Sequence, residues 1–178
     1  MELTKEKLKS TSKALAQFGY KNDLAAPRLV KIVVSSGTGS GMKKDREKNN
    51  TVSDRLAKIT GQKTSLRVAK QSVASFKIRE GDPVGVTVTL RGARMINFLD
   101  KLVHIALPRT KDFRGLDNKA VDSMGNMTLG IKEHTIFPEA ADEDLRDVFG
   151  LAITMVSTAK TRPEAIAFFE HLGIPFKK

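Results

Sequence analysis

The sequence has no cysteine, no tryptophan and a single tyrosine among its 178 residues. Without thiols there can be no disulfide, no thiolate nucleophile and no cysteine-ligated zinc, and the composition suits a reducing compartment. No apolar run approaches the ~18 residues a membrane span needs. The first ten residues, MELTKEKLKS, are charged, which predicts a soluble cytoplasmic chain with no membrane partner. Also missing are G-x-S-x-G, H-E-x-x-H and any recognisable frame of paired carboxylates, so catalysis has no candidate centre. His104, His134 and His171 match no metal-ligand spacing, and neither a metal nor a cofactor is expected.

Positive charge is in excess. The chain carries 31 Lys and Arg against 20 Asp and Glu, a net charge of +11 with an isoelectric point near 10.0. Such a balance favours a polyanionic partner. The charge is uneven, because Glu139 to Asp147 holds five acids and one base. That segment is either a solvated turn or, if functional, a dock for a basic protein rather than for RNA, which it would repel.

A length of 178 residues fits one domain, 1–178, able to bury about two thirds of its unfolded surface. Thr4 to Phe18 reads as a basic helix stopped by Gly19, and RLVKIVVS as a strand with Val30, Ile32 and Val34 on one face. Lys31, Val33 and Ser35 take the other face. A helix from about Asn50 to Thr60 places Val52, Leu56 and Ile59 together, with Gly61 as its C-terminal cap. Ala93 to Leu107 is the most regular helix, striped by Met95, Ile96, Leu99, Leu102, Val103 and Ala106. Met127 to Lys132 and Leu151 to Thr158 read as strands. Thr161 and Glu164 form a capping box that opens a final helix. Together these predict an α+β fold, an open and largely antiparallel sheet with helices on one face and the other face free.

The stretch from Gly61 to Arg91 is the most informative. It reads as strand, basic loop and strand, and its six cations face two acids, Glu80 and Asp82, for a net charge of +4. In the second strand Val84, Val86, Val88 and Leu90 alternate with Gly85, Thr87, Thr89 and Arg91. One face is apolar; the other carries hydroxyls and a guanidinium. Lys31 and Ser35 would share that polar face. Such a face suits the shallow minor groove and 2'-hydroxyls of an A-form duplex, whereas an RRM-type face needs strand aromatics. The bland reading, ordinary strand threonines on a wet face, is weakened by the adjoining basic loop. Phe76 in that loop is either an anchor folding it back or a stacking contact.

Two other function classes have some support. Gly37, Gly39 and Gly41 follow a strand, but the third glycine comes one residue early for G-x-G-x-x-G and no G-K-[ST] follows. A surface loop with phosphate contact through Lys43 and Lys44 fits better than a nucleotide enzyme. A protein-protein adaptor would bind without the salt dependence that phosphate contacts impose.

TGQK (Thr60 to Lys63), AKQSVASFKIREGDPVG (Ala69 to Gly85), VTLRGARM (Val88 to Met95), IALPRTKDFRGL (Ile105 to Leu116), TLGIKE, FPE and STAKT (Ser157 to Thr161) occur in this order. In these stretches the chain closely resembles the bacterial large-subunit ribosomal protein five family, 5S-rRNA-binding proteins of the central protuberance. The resemblance implies a concave sheet face that holds a helical arm of 5S rRNA, with family contacts falling here on Gln62, Phe76 and Thr89. Where the family has a contacting Asn at the end of the first strand, this sequence has Ser35. With the polar face, the expected 5S-binding set is Lys31, Ser35, Gln62, Lys63, Phe76, Thr87, Thr89 and Arg91. The loop from Ala69 to Gly81 is expected to reach P-site tRNA through Lys70, Gln71, Ser72, Lys77 and Arg79. The resemblance also implies a bridge to a basic protein of the small-subunit head, involving Arg109, Lys111, Asp112, Arg114, Glu139, Asp142, Glu143 and Asp144. The other implied partners are 23S rRNA and further 5S-associated ribosomal proteins, all on the cytoplasmic ribosome.

Overall fold

Alternation of apolar with small or polar residues produces five strands: β1 (Leu29–Gly37), β2 (Ser65–Val68), β3 (Pro83–Leu90), β4 (Met127–Ile131) and β5 (Leu151–Ser157). They form one open antiparallel sheet in the order β2-β3-β1-β5-β4. The helices are α1 (Thr4–Lys9), α2 (Thr11–Ala14), α3 (Lys48–Thr60), α4 (Gly92–Lys101) and α5 (Arg162–Leu172). This is the α+β architecture that the interleaved elements predict. The computed structural model describes residues 4–20, 22–39, 48–111, 113–140 and 148–177.

Period-2 burial runs along the strands. Ile32, Val34, Val86, Val88, Leu90, Met127, Leu129, Ile131, Leu151, Ile153 and Met155 are buried. Lys31, Val33, Ser35, Thr89, Ala152, Thr154 and Val156 remain half-buried, and Thr128 and Gly130 are exposed. The first strand departs from its expected pattern at its start, since Leu29 is buried and Val30 is 42% exposed.

The chain forms two compact units. One comprises Val33–Leu90 and Gly130–Ala152. In it α3 packs against β2, β3 and the turn Pro138–Ala140, burying Val52, Leu56 and Ile59 as their spacing predicts. Each such side chain contributes roughly 1.5–3 kcal/mol on leaving water. Gly61 follows with a φ of +66°, the left-handed stop expected of it.

The other unit comprises Met1–Ile32, Arg91–Leu129 and Ile153–Lys178. Here α1 packs on α4 and α5, and the Thr4 amide donates to Asp100 Oδ1 at 2.9 Å. The expected single helix from Thr4 to Phe18 is broken after Lys9. Ser10 Oγ bonds the Lys7 carbonyl at 3.1 Å, and Thr11 Oγ1 bonds the carbonyls of Lys7 and Leu8 at 3.2 and 3.1 Å. Hydroxyls competing for helix carbonyls interrupt the ladder.

The helix expected from Ala93 to Leu107 also changes character, as Leu102–Ala106 forms a π turn closed by the Leu107 amide on the Leu102 carbonyl at 2.9 Å. The wider turn carries Leu107 to the buried side, where an α-helix would leave it off to one side. Phe98, outside the expected stripe, is buried there too.

At α5 the capping box does not form. The Thr161 side chain makes no cap bond; Glu164 Oε2 instead accepts from the Lys160 amide at 3.1 Å. Its other oxygen accepts from the Tyr20 hydroxyl. Burial, that hydrogen bond and the carboxylate charge push Tyr20 up to about 12. Gly125 is required by close approach, because its φ is +78° and an added Cβ would lie 2.6 Å from the Ala159 carbonyl oxygen.

Candidate nucleic-acid interface

Pairing of β2 with β3 decides which side chains share the open face. Ser65 lies opposite Thr87 and Arg67 opposite Gly85, whereas Leu66 lies opposite Val86. Cross-strand partners point to the same side, so Ser65 and Arg67 join the face of Thr87 and Thr89. Gly85 allows β1 to come close, since a Cβ there would sit 3.0 Å from the Ser36 carbonyl oxygen.

The two threonines differ. Thr87 is 7% exposed and its hydroxyl donates to the Val34 carbonyl at 3.3 Å. This corrects the expectation of a free hydroxyl there: β3 lies between β2 and β1, and Thr87 is enclosed by its neighbours. Thr89 is half-buried, and its carbonyl accepts from Gln62 Nε2 at 3.0 Å. Two expected site residues 27 positions apart are thus joined. Lys31 and Ser35 are half-buried on β1, while Lys63 and Arg91 are exposed.

The loop between β2 and β3 has its own hydrogen bonding. Ala69 N donates to the Asp82 carbonyl at 2.8 Å and Gly81 N to that of Ala69 at 3.0 Å. Further out, Val73 and Ile78 exchange both amide bonds, at 3.0 and 3.2 Å. The loop is a small hairpin set on a larger one. Lys70, Gln71, Ser72, Lys77 and Arg79 all lie along it and all are exposed. Ser72 Oγ is engaged inside the loop, accepting from the Glu80 amide at 2.9 Å. Phe76 is 68% exposed at the tip, so it does not fold the loop back. It adjoins Lys77, which joins the residues expected to face tRNA with one expected to touch 5S rRNA.

Arg109 and Arg114 are exposed on the segment after the π turn, as is Lys111. This segment is tied down, with the Leu116 amide on the Pro175 carbonyl and the Lys177 amide on that of Leu116, both at 2.8 Å. Glu139 is exposed in the other unit. Asp112, Asp142, Glu143 and Asp144 lie outside the described residues, as do Gly41, Lys43 and Lys44.

Among the described residues, no group of three His, Asp or Glu could hold a metal ion, and no helix is long and apolar enough to cross a membrane. His134 is buried and stacked on Phe149, ring centroids 4.1 Å apart.

Two polar features were not anticipated. Ser36 is buried and donates to the Gly150 carbonyl at 2.7 Å. Thr128 and Thr154 pair their hydroxyls at 3.2 Å on the outer side of β4 and β5. The alternation in MTLGI and LAITM could have placed this pair; nothing local marked Ser36 as the inward member of the Ser35-Ser36 pair except strict counting from Ile32.

Residues 22–79 match the family model described as "Ribosomal protein L5", and residues 83–176 match the model for the C-terminus of the same ribosomal family. The large ribosomal subunit protein uL5 of Thermotoga sp. strain RQ2 is 46% identical over 168 residues, covering 92% of this chain and 89% of the relative. That of Heliobacterium modesticaldum is 44% identical over 179 residues, 99% of each chain. The protein of the same name from Lactococcus lactis subsp. cremoris strain MG1363 is 47% identical over 162 residues, 91% of this chain and 89% of the relative. With two family models together matching most of its residues and relatives of this identity along nearly its whole length, the chain belongs to the ribosomal L5 family, structural and non-enzymatic proteins of the large ribosomal subunit.

Proposed function

We propose that the chain, acting as one binding domain over residues 1–178, helps attach 5S rRNA to the central protuberance of the large subunit of the cytoplasmic ribosome. The open face of β1 and β3 takes an A-form stem of 5S rRNA. Thr89 and Ser35 supply hydroxyl contacts, Gln62 an amide, and Lys31, Lys63 and Arg91 phosphate attraction. The observation that supports this reading is the Gln62–Thr89 bond, in which the Gln62 amide holds the backbone carbonyl of the strand residue whose hydroxyl is the proposed contact.

The loop from Ala69 to Gly81 extends the interface towards P-site tRNA. Its internal hydrogen bonds give the loop backbone a defined form, and its polar and charged side chains are exposed on it. Arg109, Lys111, Asp112 and Arg114, with Glu139 and the acids Asp142, Glu143 and Asp144, form a bridge to a basic protein of the small-subunit head. Support for this part is the separation of charge along the chain. 23S rRNA and the other 5S-associated proteins complete the surroundings.

A gel shift with 5S rRNA tests the face. Thr89→Val weakens binding by about 1 kcal/mol or more through loss of one hydrogen bond, with the melting temperature unchanged. Unaltered affinity would contradict a direct contact.

A further inference from the structure

We propose that the outer edge of β2 is a docking site for a second protein of the large ribosomal subunit, which adds an extended segment there as a further strand, its side chains alternating between apolar and acidic. This goes beyond the binding of RNA, because it concerns the edge of the sheet and the side away from Thr89.

β2 is an end strand. It pairs with β3 alone, and among the described residues no backbone bond reaches its other edge. Amide and carbonyl groups are left there, the template on which another chain can pair. The edge is also regular. Arg67 lies opposite Gly85 and Val68 opposite Pro83, so Val84 is passed over and the irregularity lies on β3. Both ends of β2 are held, one by the hydroxyl bond between Ser53 of α3 and Thr64, the other by the Ala69 amide on the Asp82 carbonyl at 2.8 Å.

The side chains fit an edge that is used. Leu66 shares the side of its partner Val86, and Val68 follows by alternation. This is the side that α3 packs on, yet Val86 and Val88 are buried while Leu66 is 50% exposed and Val68 56%. Native edge strands are commonly guarded by charge. Here the one charge on β2, Arg67, points to the side of Thr89, and the side of α3 is left apolar.

The chemistry selects the partner. From Gly61 to Arg79 the chain carries Lys63, Arg67, Lys70, Lys77 and Arg79 and no acid. Two copies paired through β2 would bring these cations together, so a second copy of this chain is a poor occupant. A strand laid along β2 sets one row of its side chains beside Leu66 and Val68 and the alternate row on the side of Arg67. Apolar residues suit the first row and carboxylates the second. RNA offers phosphates to Arg67 but nothing that pairs with a strand edge, and it has no use for two aliphatic side chains on the other side.

The test titrates the isotope-labelled full chain with a capped peptide of alternating glutamate and valine. Amide shifts are expected at Ser65 to Val68, and a peptide of alternating lysine and valine is expected to leave them in place. Leu66→Ser combined with Val68→Ser lowers affinity for the acidic peptide about tenfold. The melting temperature stays unchanged, because both side chains are already exposed. Shifts elsewhere, an equal response to both peptides, or undiminished affinity in the double variant overturns the proposal. Purified large subunits in which a photoreactive benzoylphenylalanine replaces Leu66 report the natural partner. The crosslink is expected on a protein, within a segment that alternates apolar and acidic residues. A crosslink to rRNA, to a second copy of this chain or to nothing overturns the docking. The double variant is expected to bind 5S rRNA as the wild type does, and a loss there would put β2 in the RNA site instead. Thr89→Val acts on 5S rRNA and not on the peptide, so the two readings can fail independently.

Discussion

Gln62 Nε2 donates to the carbonyl of Thr89 at 3.0 Å, both residues half-buried. Gln62 follows Gly61 at the end of α3, and Thr89 stands one residue before the end of β3. The amide therefore ties a helix exit to the strand that carries the proposed contact. A side chain in this position fixes the backbone of the residue it bonds.

Thr89→Val keeps the carbonyl that Gln62 holds, but Gln62→Ala releases the Thr89 backbone and with it the position of the Thr89 hydroxyl, so the two substitutions are coupled in one direction. Gln62→Ala and Thr89→Val each weaken 5S rRNA binding, and the double variant loses less than the two losses combined, by about 0.5 kcal/mol or more. Additive losses in a double-mutant cycle would show the two side chains to act separately.

Thr87 and Thr89 should respond to the same substitution in opposite ways. Thr87→Val removes a buried donor from the Val34 carbonyl and lowers stability by about 1 kcal/mol, with little effect on RNA affinity. Denaturant unfolding and gel shifts on both variants make the comparison. If Thr87→Val weakened RNA binding as much as Thr89→Val, burial would not be what distinguishes them.

This distinction could not be read from the sequence. Period-2 patterning correctly placed Thr87 and Thr89 on one face and Val86 and Val88 on the other, because alternation depends only on backbone geometry. It could not tell which threonine lies between two strands, since that depends on sheet order. The same limit applies to the helices. The stripe in α3 came out as expected, but the π turn at Leu102–Ala106 and the break at Ser10 arise from hydrogen bonds that spacing does not report. Glu164 was placed at the start of the last helix, yet its partner Tyr20 lies 144 residues away. Thr89 was legible from strand alternation and Phe76 from its place in the basic loop, whereas Gln62 was legible as a site residue only through family resemblance, because nothing in its local pattern singles it out.

Tyr20 offers a spectroscopic check on that distant pair. It is the only tyrosine, so tyrosinate absorbance reports one group. Its pKa, pushed up to about 12 by burial and Glu164, exceeds the unfolded value of about 10. The protonated form is thus favoured by folding, and the contribution is complete below pH of about 10 and lost as pH rises towards 12. Glu164→Gln lowers the midpoint, and Tyr20→Phe costs about 1–2 kcal/mol by leaving a buried carboxylate short of a donor. A midpoint near 10 in the native protein would show that the pair is not made.

Lys70 and Arg79 test the division of labour between the loop and the face. Arg79 is exposed and Lys70 lies beside the exposed Gln71, and the Arg79 amide, not its guanidinium, makes the bond to Asp82 at 2.8 Å. Replacing both side chains with alanine therefore leaves the loop's backbone bonds in place. The double variant should bind isolated 5S rRNA nearly as well as the wild type but retain tRNA poorly on the assembled ribosome. If each cation meets one phosphate, the dependence of tRNA binding on salt becomes shallower by roughly 1.5 in log-log slope, at about 0.7–0.9 per phosphate. A shallower slope on 5S rRNA instead would move the loop to the 5S interface, and an unchanged slope on both would mean that neither cation meets a phosphate.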